Sequence, residues 1–229
     1  MNPLSDLPNK TRLKRSDKPH SEAGIIHLGP GAFFRAFNAV YTSKAINEKG
    51  GDWGIRAVSL RSPDIRDKLA PQGYAYTSVS LTPDGAEHEV IEIIKDVLVA
   101  PEDPSAVLSA MSNPDIHIIS LTVTEKGYCH NPATGELQLD HPDIAHDLKH
   151  TDAPKSAPGF LVHALAQRRD AGLRPFTVLS CDNLPDNEPG GPYSSDHWCF
   201  THFGLTSTGY NQGFYDLAID VSDTDPNKF

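Results

Sequence analysis

Cysteine is scarce in this chain. Cys129, Cys181 and Cys199 are three residues of 229, an odd number at wide spacings. That argues against a disulfide framework and for a reducing compartment. No apolar run is long enough to span a bilayer, so no transmembrane segment is expected. Positive charge is in deficit: 20 Lys and Arg stand against 30 Asp and Glu, a net charge of −10. Nucleic acid and anionic membrane are poor partners for such a surface. The first twenty residues carry Lys10, Arg12, Lys14, Arg15 and Lys18 but no apolar core, so they read as a solvated arm and not as a secretory signal. Internal repeats are absent. Ser120 and Ser180 end apolar runs without a Gly-x-Ser-x-Gly elbow, which argues against a hydrolase triad. His141, His146 and His150 have nothing nearby to complete a ligand set, so no metal is expected. What remains is a soluble, cytoplasmic protein. Its 38% hydrophobic content supports a real core.

The organising stretch is Gly24 to Tyr41. A short apolar run, Ile25 to Leu28, leads into Gly29-Pro30-Gly31. A helical pattern follows, with apolar residues at Ala32, Phe33, Ala36, Phe37 and Val40. A strand, a glycine turn and a helix make the first βα unit of a dinucleotide-binding fold. Gly29 permits the sharp turn, and Gly31 has no Cβ to hold a pyrophosphate off the backbone. Free amides at the helix start attract phosphate. The fingerprint is incomplete, because Phe34 stands where a third glycine belongs. A purely structural glycine turn is the competing reading. Arg35 sits where its planar fork reaches a phosphate, or else is a solvated helix charge.

The rest alternates as an α/β chain. Residues 1 to 23 form a loose leader. The first helix is expected from Ala32 to about Lys49, ended by Gly50-Gly51. Gly54 to Leu60 is strand two, and a helix follows from Pro63 to Ala70. An Asp or Glu at the end of strand two would select NAD, but Arg61-Ser62 stands there. Arg61 stacks on adenine, meets a 2′-phosphate, or is a surface charge. Tyr74–Leu81 and Glu87–Val99 are β-rich runs joined through Pro83-Asp84-Gly85, which predicts an antiparallel hairpin inserted in the sheet. A helix from Asp103 to Met111 precedes a buried strand, Ile116–Leu121. That strand ends in the polar run Thr122 to Tyr128, a ligand position by topology or an ordinary loop. Helices are expected over His141–Lys149 and Pro158–Gly172, and a last buried strand over Pro175–Cys181 ends in Asp182-Asn183-Leu184-Pro185. Residues 189–229 show no sustained period and read as an irregular tail. The reading is thus a Rossmann-type doubly wound sheet over residues 24–188.

Four stretches in series carry a resemblance: Ile26 to Phe37, Val58 to Asp64, Ser120 to Tyr128 and Val178 to Pro185. With them the chain resembles the mannitol dehydrogenase family of long-chain polyol and hexuronate dehydrogenases, over roughly residues 22–188, its N-terminal Rossmann half. The resemblance implies hydride transfer between a nicotinamide cofactor and a polyol or sugar acid, of the mannitol/fructose or mannonate/fructuronate type. It implies NAD as cofactor, with NADP possible. Ile26, Gly29, Pro30, Gly31, Ala32, Phe33 and Arg35 fall on the cofactor side of the first motif, with Arg61 beyond them. Thr124, Glu125 and Lys126 would line the nicotinamide, and Asn183 would donate to the substrate oxygen as charge develops there. The family's helical second half, with its Val-Asp-Arg motif and catalytic lysine, has no counterpart here. The only lysine after Asn183 is Lys228. Lys126 is the one candidate to replace that base, and it needs desolvation to act. The expectation is a cofactor half, with a catalytically incomplete module or truncated fragment as the alternative.

Overall fold

The computed structural model describes residues 13–17, 20–83, 85–131, 134 and 136–182, and the backbone of 206–211 and 214–218. Five parallel strands form its centre: β1 (Ala23–Leu28), β2 (Gly54–Ser59), β5 (Ile94–Val99), β6 (Ile118–Leu121) and β7 (Thr177–Ser180). They lie in the order β5-β2-β1-β6-β7. This is the order of the Rossmann fold: the chain builds outward from β1 on one side, then crosses back to β6 on the other. Register is continuous at the centre, with His27 opposite Ala57 on β2 and Ser120 on β6.

Both faces of the sheet are covered, which is why these strands are continuous apolar runs. Ile25 packs on one side with Phe34, Ala39 and Val40, from helices α1 (Ala32–Ala36) and α2 (Asn38–Lys49), and with Ile55, Ala57 and Leu69. Ile26 and Leu28 point to the other side. They meet Val107 and Met111 of α4 (Pro104–Met111) and Phe160, Leu161 and Ala164 of α6 (Ala157–Asp170). Each such side chain contributes about 1.5–3 kcal/mol on burial. Caps match the sequence: Asp103 accepts from the Ala106 amide, and Ser156 accepts from Gly159.

Four expectations change in detail. The helix expected from Ala32 to Lys49 breaks at Phe37, whose φ and ψ are −118° and −82°. Here the Arg35 carbonyl accepts from the Tyr76 hydroxyl at 2.6 Å, a tertiary contact at the helix break. The hairpin forms from β3 (Tyr76–Thr82) and β4 (Gly85–Ile91), but as a separate two-stranded sheet. The run Glu87–Val99, expected whole, divides after Ile91, and its second part becomes the parallel edge strand β5. The cause lies in the leader expected to be loose. Arg15 donates to the carbonyls of Glu92 and Ile94, at 2.6 and 2.7 Å, and to that of Gly73 at 3.3 Å. Ser16 donates its amide and hydroxyl to the Glu92 carboxylate. Lastly, within the segment expected to be irregular, β8 (Thr206–Asn211) and β9 (Phe214–Ala218) extend the sheet, β9 running antiparallel to β7. Among the described residues no helix is long and apolar enough to cross a membrane.

Candidate active site

The strand order reverses between β1 and β6, and the carboxyl ends of those two strands open a crevice. Gly29 turns the chain there with φ +91°. Its amide donates to the Val58 carbonyl at 3.0 Å, and the Gly31 amide donates back to the Gly29 carbonyl at 2.7 Å. A Cβ on Gly29 would stand 2.3 Å from the Thr122 carbonyl oxygen. Glycine is therefore required by the fold itself. Gly31 differs. Its φ of −68° suits any residue, and a Cβ would find its nearest neighbour at 3.9 Å. The chain does not need glycine at position 31; what the missing side chain leaves is room in the crevice.

A buried polar chain supports the turn. Ser120 donates its hydroxyl to His27 Nδ1 (2.8 Å), His27 Nε2 faces Thr122 Oγ1 (2.9 Å), and the Thr122 hydroxyl donates to the Gly29 carbonyl (2.7 Å). Because Thr122 spends its proton on Gly29, it accepts from His27, which fixes the Nε2–H tautomer. His27 is fully buried, and desolvation pushes its pKa down to about 3. It is a neutral structural histidine. Residue reading missed it, although a histidine inside Ile-Ile-His-Leu, facing Ser120 and Thr122 on the next strand, is the signal.

The opposite wall is the loop after β6. Thr124 has φ +66° and ψ 163°, a region nearly reserved for glycine. Asp182, just past β7, accepts from the Val123 and Thr124 amides, each at 2.9 Å, and from the Tyr128 hydroxyl at 2.8 Å. A turn of 3-10 helix, Glu125–Tyr128, brings Tyr128 beneath. Gly127 lets the loop close, since a Cβ there would meet Val123 Cβ at 2.8 Å. Asp182 is the other functional residue that went unassigned in the sequence; its signal was a carboxylate directly after a buried strand.

Between these walls lies a cleft of about 360 Å³. Gly29, Pro30, Gly31, Arg61, Thr124 and Lys126 line it, together with Lys155 and Asp143. Arg61 is largely exposed, 3.9 Å from the Asp143 carboxylate. Cys129 also faces the cleft, but burial pushes its thiol up to about 11, which makes it a poor nucleophile. The other expected residues fall elsewhere. Ile26 is fully buried beneath the turn. Ala32, Phe33 and Glu125 are exposed outside the cleft lining. Arg35 folds back to donate to the Pro30 carbonyl, so it braces the glycine turn. Asn183 lies outside the described residues.

A parallel sheet in this order, with a glycine turn and an open cleft at its switch point, defines a Rossmann domain. The chain belongs to the mannitol dehydrogenase family, whose Rossmann domain matches residues 23–189. It is 44% identical over 183 residues to YeiQ, an uncharacterized oxidoreductase of Escherichia coli K12, covering 79% of this chain and 38% of that protein. It is 45% identical over 193 residues to mannitol 2-dehydrogenase of Pyricularia oryzae, covering 80% and 38% respectively. The chain thus spans well under half the length of these relatives. Among solved structures, Pseudomonas fluorescens mannitol 2-dehydrogenase in ternary complex with NAD and D-mannitol superposes with a TM-score of 0.69 at 46% identity, over 73% of this chain and 35% of that one. A D-sorbitol dehydrogenase in substrate-free form gives 0.70 at 36% identity, over 78% and 38%.

Proposed function

We propose that the cleft binds NAD, and that this chain is the cofactor half of an oxidoreductase interconverting a polyol or sugar acid with its keto form. The mannitol/fructose and mannonate/fructuronate pairs are the substrates proposed. The observation that carries the reading is Gly31. Nothing among the described residues demands glycine there, and the space its Cβ would fill opens on the cleft. That fits a pyrophosphate lying against the backbone. NAD bound there would supply hydride exchange with a substrate carbon.

The residues divide the work. Gly29 and Gly31 shape the pyrophosphate seat, with Pro30 between them and Arg35 behind. Arg61, just past β2, would meet the adenosine end of the cofactor. Its cationic fork in place of a carboxylate gives NADP a foothold as well. Thr124 and Lys126 would stand on the nicotinamide side, with Glu125 exposed outside the cleft lining, and Asn183 is assigned to the substrate oxygen by family likeness. Lys126 is exposed, whereas a lysine base works near neutral pH only once desolvated. The proton acceptor is therefore assigned to the part of the family's length that this chain does not span. The same reading places the protein in the cytoplasm, where the buried thiol of Cys129 stays unpaired.

The test is a fluorescence titration of the 229-residue chain with NADH and NADPH, with mannitol oxidation and fructuronate reduction assayed in parallel. Saturable NADH binding with little or no turnover is expected. Folded protein that takes neither cofactor refutes the reading. A catalytically incomplete module is the second reading, favoured because Lys126, the candidate base in the cleft, is exposed. Turnover at an ordinary enzymatic rate by this chain alone refutes that one.

A further inference from the structure

We infer that Asp182 is a positioning residue: its carboxylate holds Thr124 in a backbone conformation that the loop does not keep unaided, and so sets the nicotinamide-side wall of the cleft. The inference rests on the dinucleotide reading above for its functional meaning. The geometry stands by itself.

Thr124 combines φ +66° with ψ 163°. A Cβ is poorly tolerated there, and a β-branched one worse. Such a conformation persists only where the surroundings over-determine it. Here Asp182 supplies the restraint on the amide side of the residue. Asp182 Oδ2 accepts from the Val123 amide, and Oδ1 accepts from the Thr124 amide. Two consecutive amides on one carboxylate fix the Val123 backbone and the peptide plane entering Thr124, while the Thr124 carbonyl on the far side accepts from the Gly127 amide at 2.9 Å, so the residue is pinned on both sides. The Tyr128 hydroxyl donates to the same Oδ2 and lies 2.6 Å from Ser180 Oγ, so the clamp is anchored on β7. At its other end the loop is tied by Thr122 to the Gly29 carbonyl. Thr124 is thus held between the glycine turn on β1 and the end of β7. An asparagine at 182 has the same shape but one acceptor oxygen, and it cannot serve both amides.

A double-mutant cycle separates this role from direct ligand contact or a general structural one. Glycine adopts the Thr124 backbone without help. Asp182→Asn is therefore expected to weaken NADH binding about tenfold when residue 124 is Thr, because only a fraction of molecules keeps the competent loop. In a Thr124→Gly background the same change is expected to cost less than about twofold. Equal losses in both backgrounds, or no loss in either, overturn the inference. Amide hydrogen exchange of the free chain gives an answer that does not depend on ligand. Asp182→Asn should speed exchange at Val123 and Thr124 while the amides of β1 and β6 stay protected; unchanged exchange at the loop overturns the inference. If the unaltered chain takes no NADH, the dinucleotide reading fails, and exchange alone decides the clamp. Should Asp182→Asn fail to fold, Thr124→Gly alone still decides: relief of strain raises the thermal midpoint, and a lowered midpoint counts against a strained Thr124.

Discussion

The imidazole of His27 lies flat on the phenyl ring of Phe34, with centroids 3.6 Å apart and planes 10° from parallel. One residue lies near the end of the central strand and the other in the first turn of the first helix, so the stack joins the two arms of the glycine turn from inside. Phe34 occupies the place of the third glycine in the usual fingerprint. Its ring is fully buried, and it fills the contact beneath the turn that a glycine would leave to closer backbone packing. The imperfect motif is thus a packing variant of the turn.

This burial makes stability depend on pH. The unfolded chain protonates His27 near its ordinary value of 6.5, while the folded chain resists until about pH 3. Between those values the unfolded state holds the extra proton. The contribution is therefore complete above pH 6.5 and is lost as the pH falls toward 3, at up to about 1.4 kcal/mol per pH unit. Urea midpoints measured across that window should fall less steeply for His27→Gln, by the slope of one proton. Parallel slopes would show that His27 does not titrate on unfolding.

The two glycines of the turn should separate fold from function. Gly29→Ala drives a Cβ to 2.3 Å from the Thr122 carbonyl at φ +91°, and is expected to cost about 2–4 kcal/mol of stability. Gly31→Ala should change stability by no more than about 0.5 kcal/mol. It should nevertheless weaken NADH binding at least about tenfold, since the new methyl stands where the pyrophosphate backs onto the chain. Denaturant melts and fluorescence titration of the two variants decide the matter. Full NADH affinity in Gly31→Ala would reduce the motif to a structural turn.

On the proposed reading, Arg61 bears on the choice between the two cofactors. Arg61→Ala is expected to weaken NADPH binding about tenfold while leaving NADH binding within about twofold, because only NADPH carries the 2′-phosphate that pairs with the fork. Paired titrations at low and moderate salt check it, the NADPH difference shrinking as salt screens the pair. Equal effects on both cofactors would place Arg61 on the adenine instead.

The strands, the hairpin and most helices were legible in the residues because both signals involved are local. Ile-Ile-His-Leu and Ile-Ile-Ser-Leu are continuous apolar runs, and Pro83-Asp84-Gly85 marks a hairpin loop. The missed features are tertiary. The break at Phe37 coincides with the contact from Tyr76, about forty residues away, and the split after Ile91 is marked by Arg15. At the site, Gly29, Gly31, Arg61 and Thr124 could be placed by topology alone. His27 and Asp182 carried a local signal, a histidine inside an apolar run and a carboxylate directly after one, but their partners are defined only once β1, β6 and β7 lie side by side.

Arg15 shows how far a residue read as part of a solvated arm can act. Its guanidinium bridges three carbonyls, of Gly73, Glu92 and Ile94, which lie on the segments flanking the hairpin at both ends. Planar donors at fixed angles can serve three carbonyls at once, whereas an ammonium on a flexible stem serves them poorly. Hydrogen bonds from a charged donor contribute about 1.5–3 kcal/mol each when well buried. Arg15 is only half-buried, so about 1–3 kcal/mol in all is the expected cost of Arg15→Ala. The loss should be local as well as global. Amides near Glu92 and Ile94 should exchange faster, and protease should cut the leader sooner, while the β1 and β6 amides stay protected. Arg15→Lys discriminates the cause. If attraction to the nearby Glu92 carboxylate were the main effect, lysine would restore most of the stability. If the fork geometry matters, lysine should recover less than half, with hairpin exchange close to that of the alanine variant.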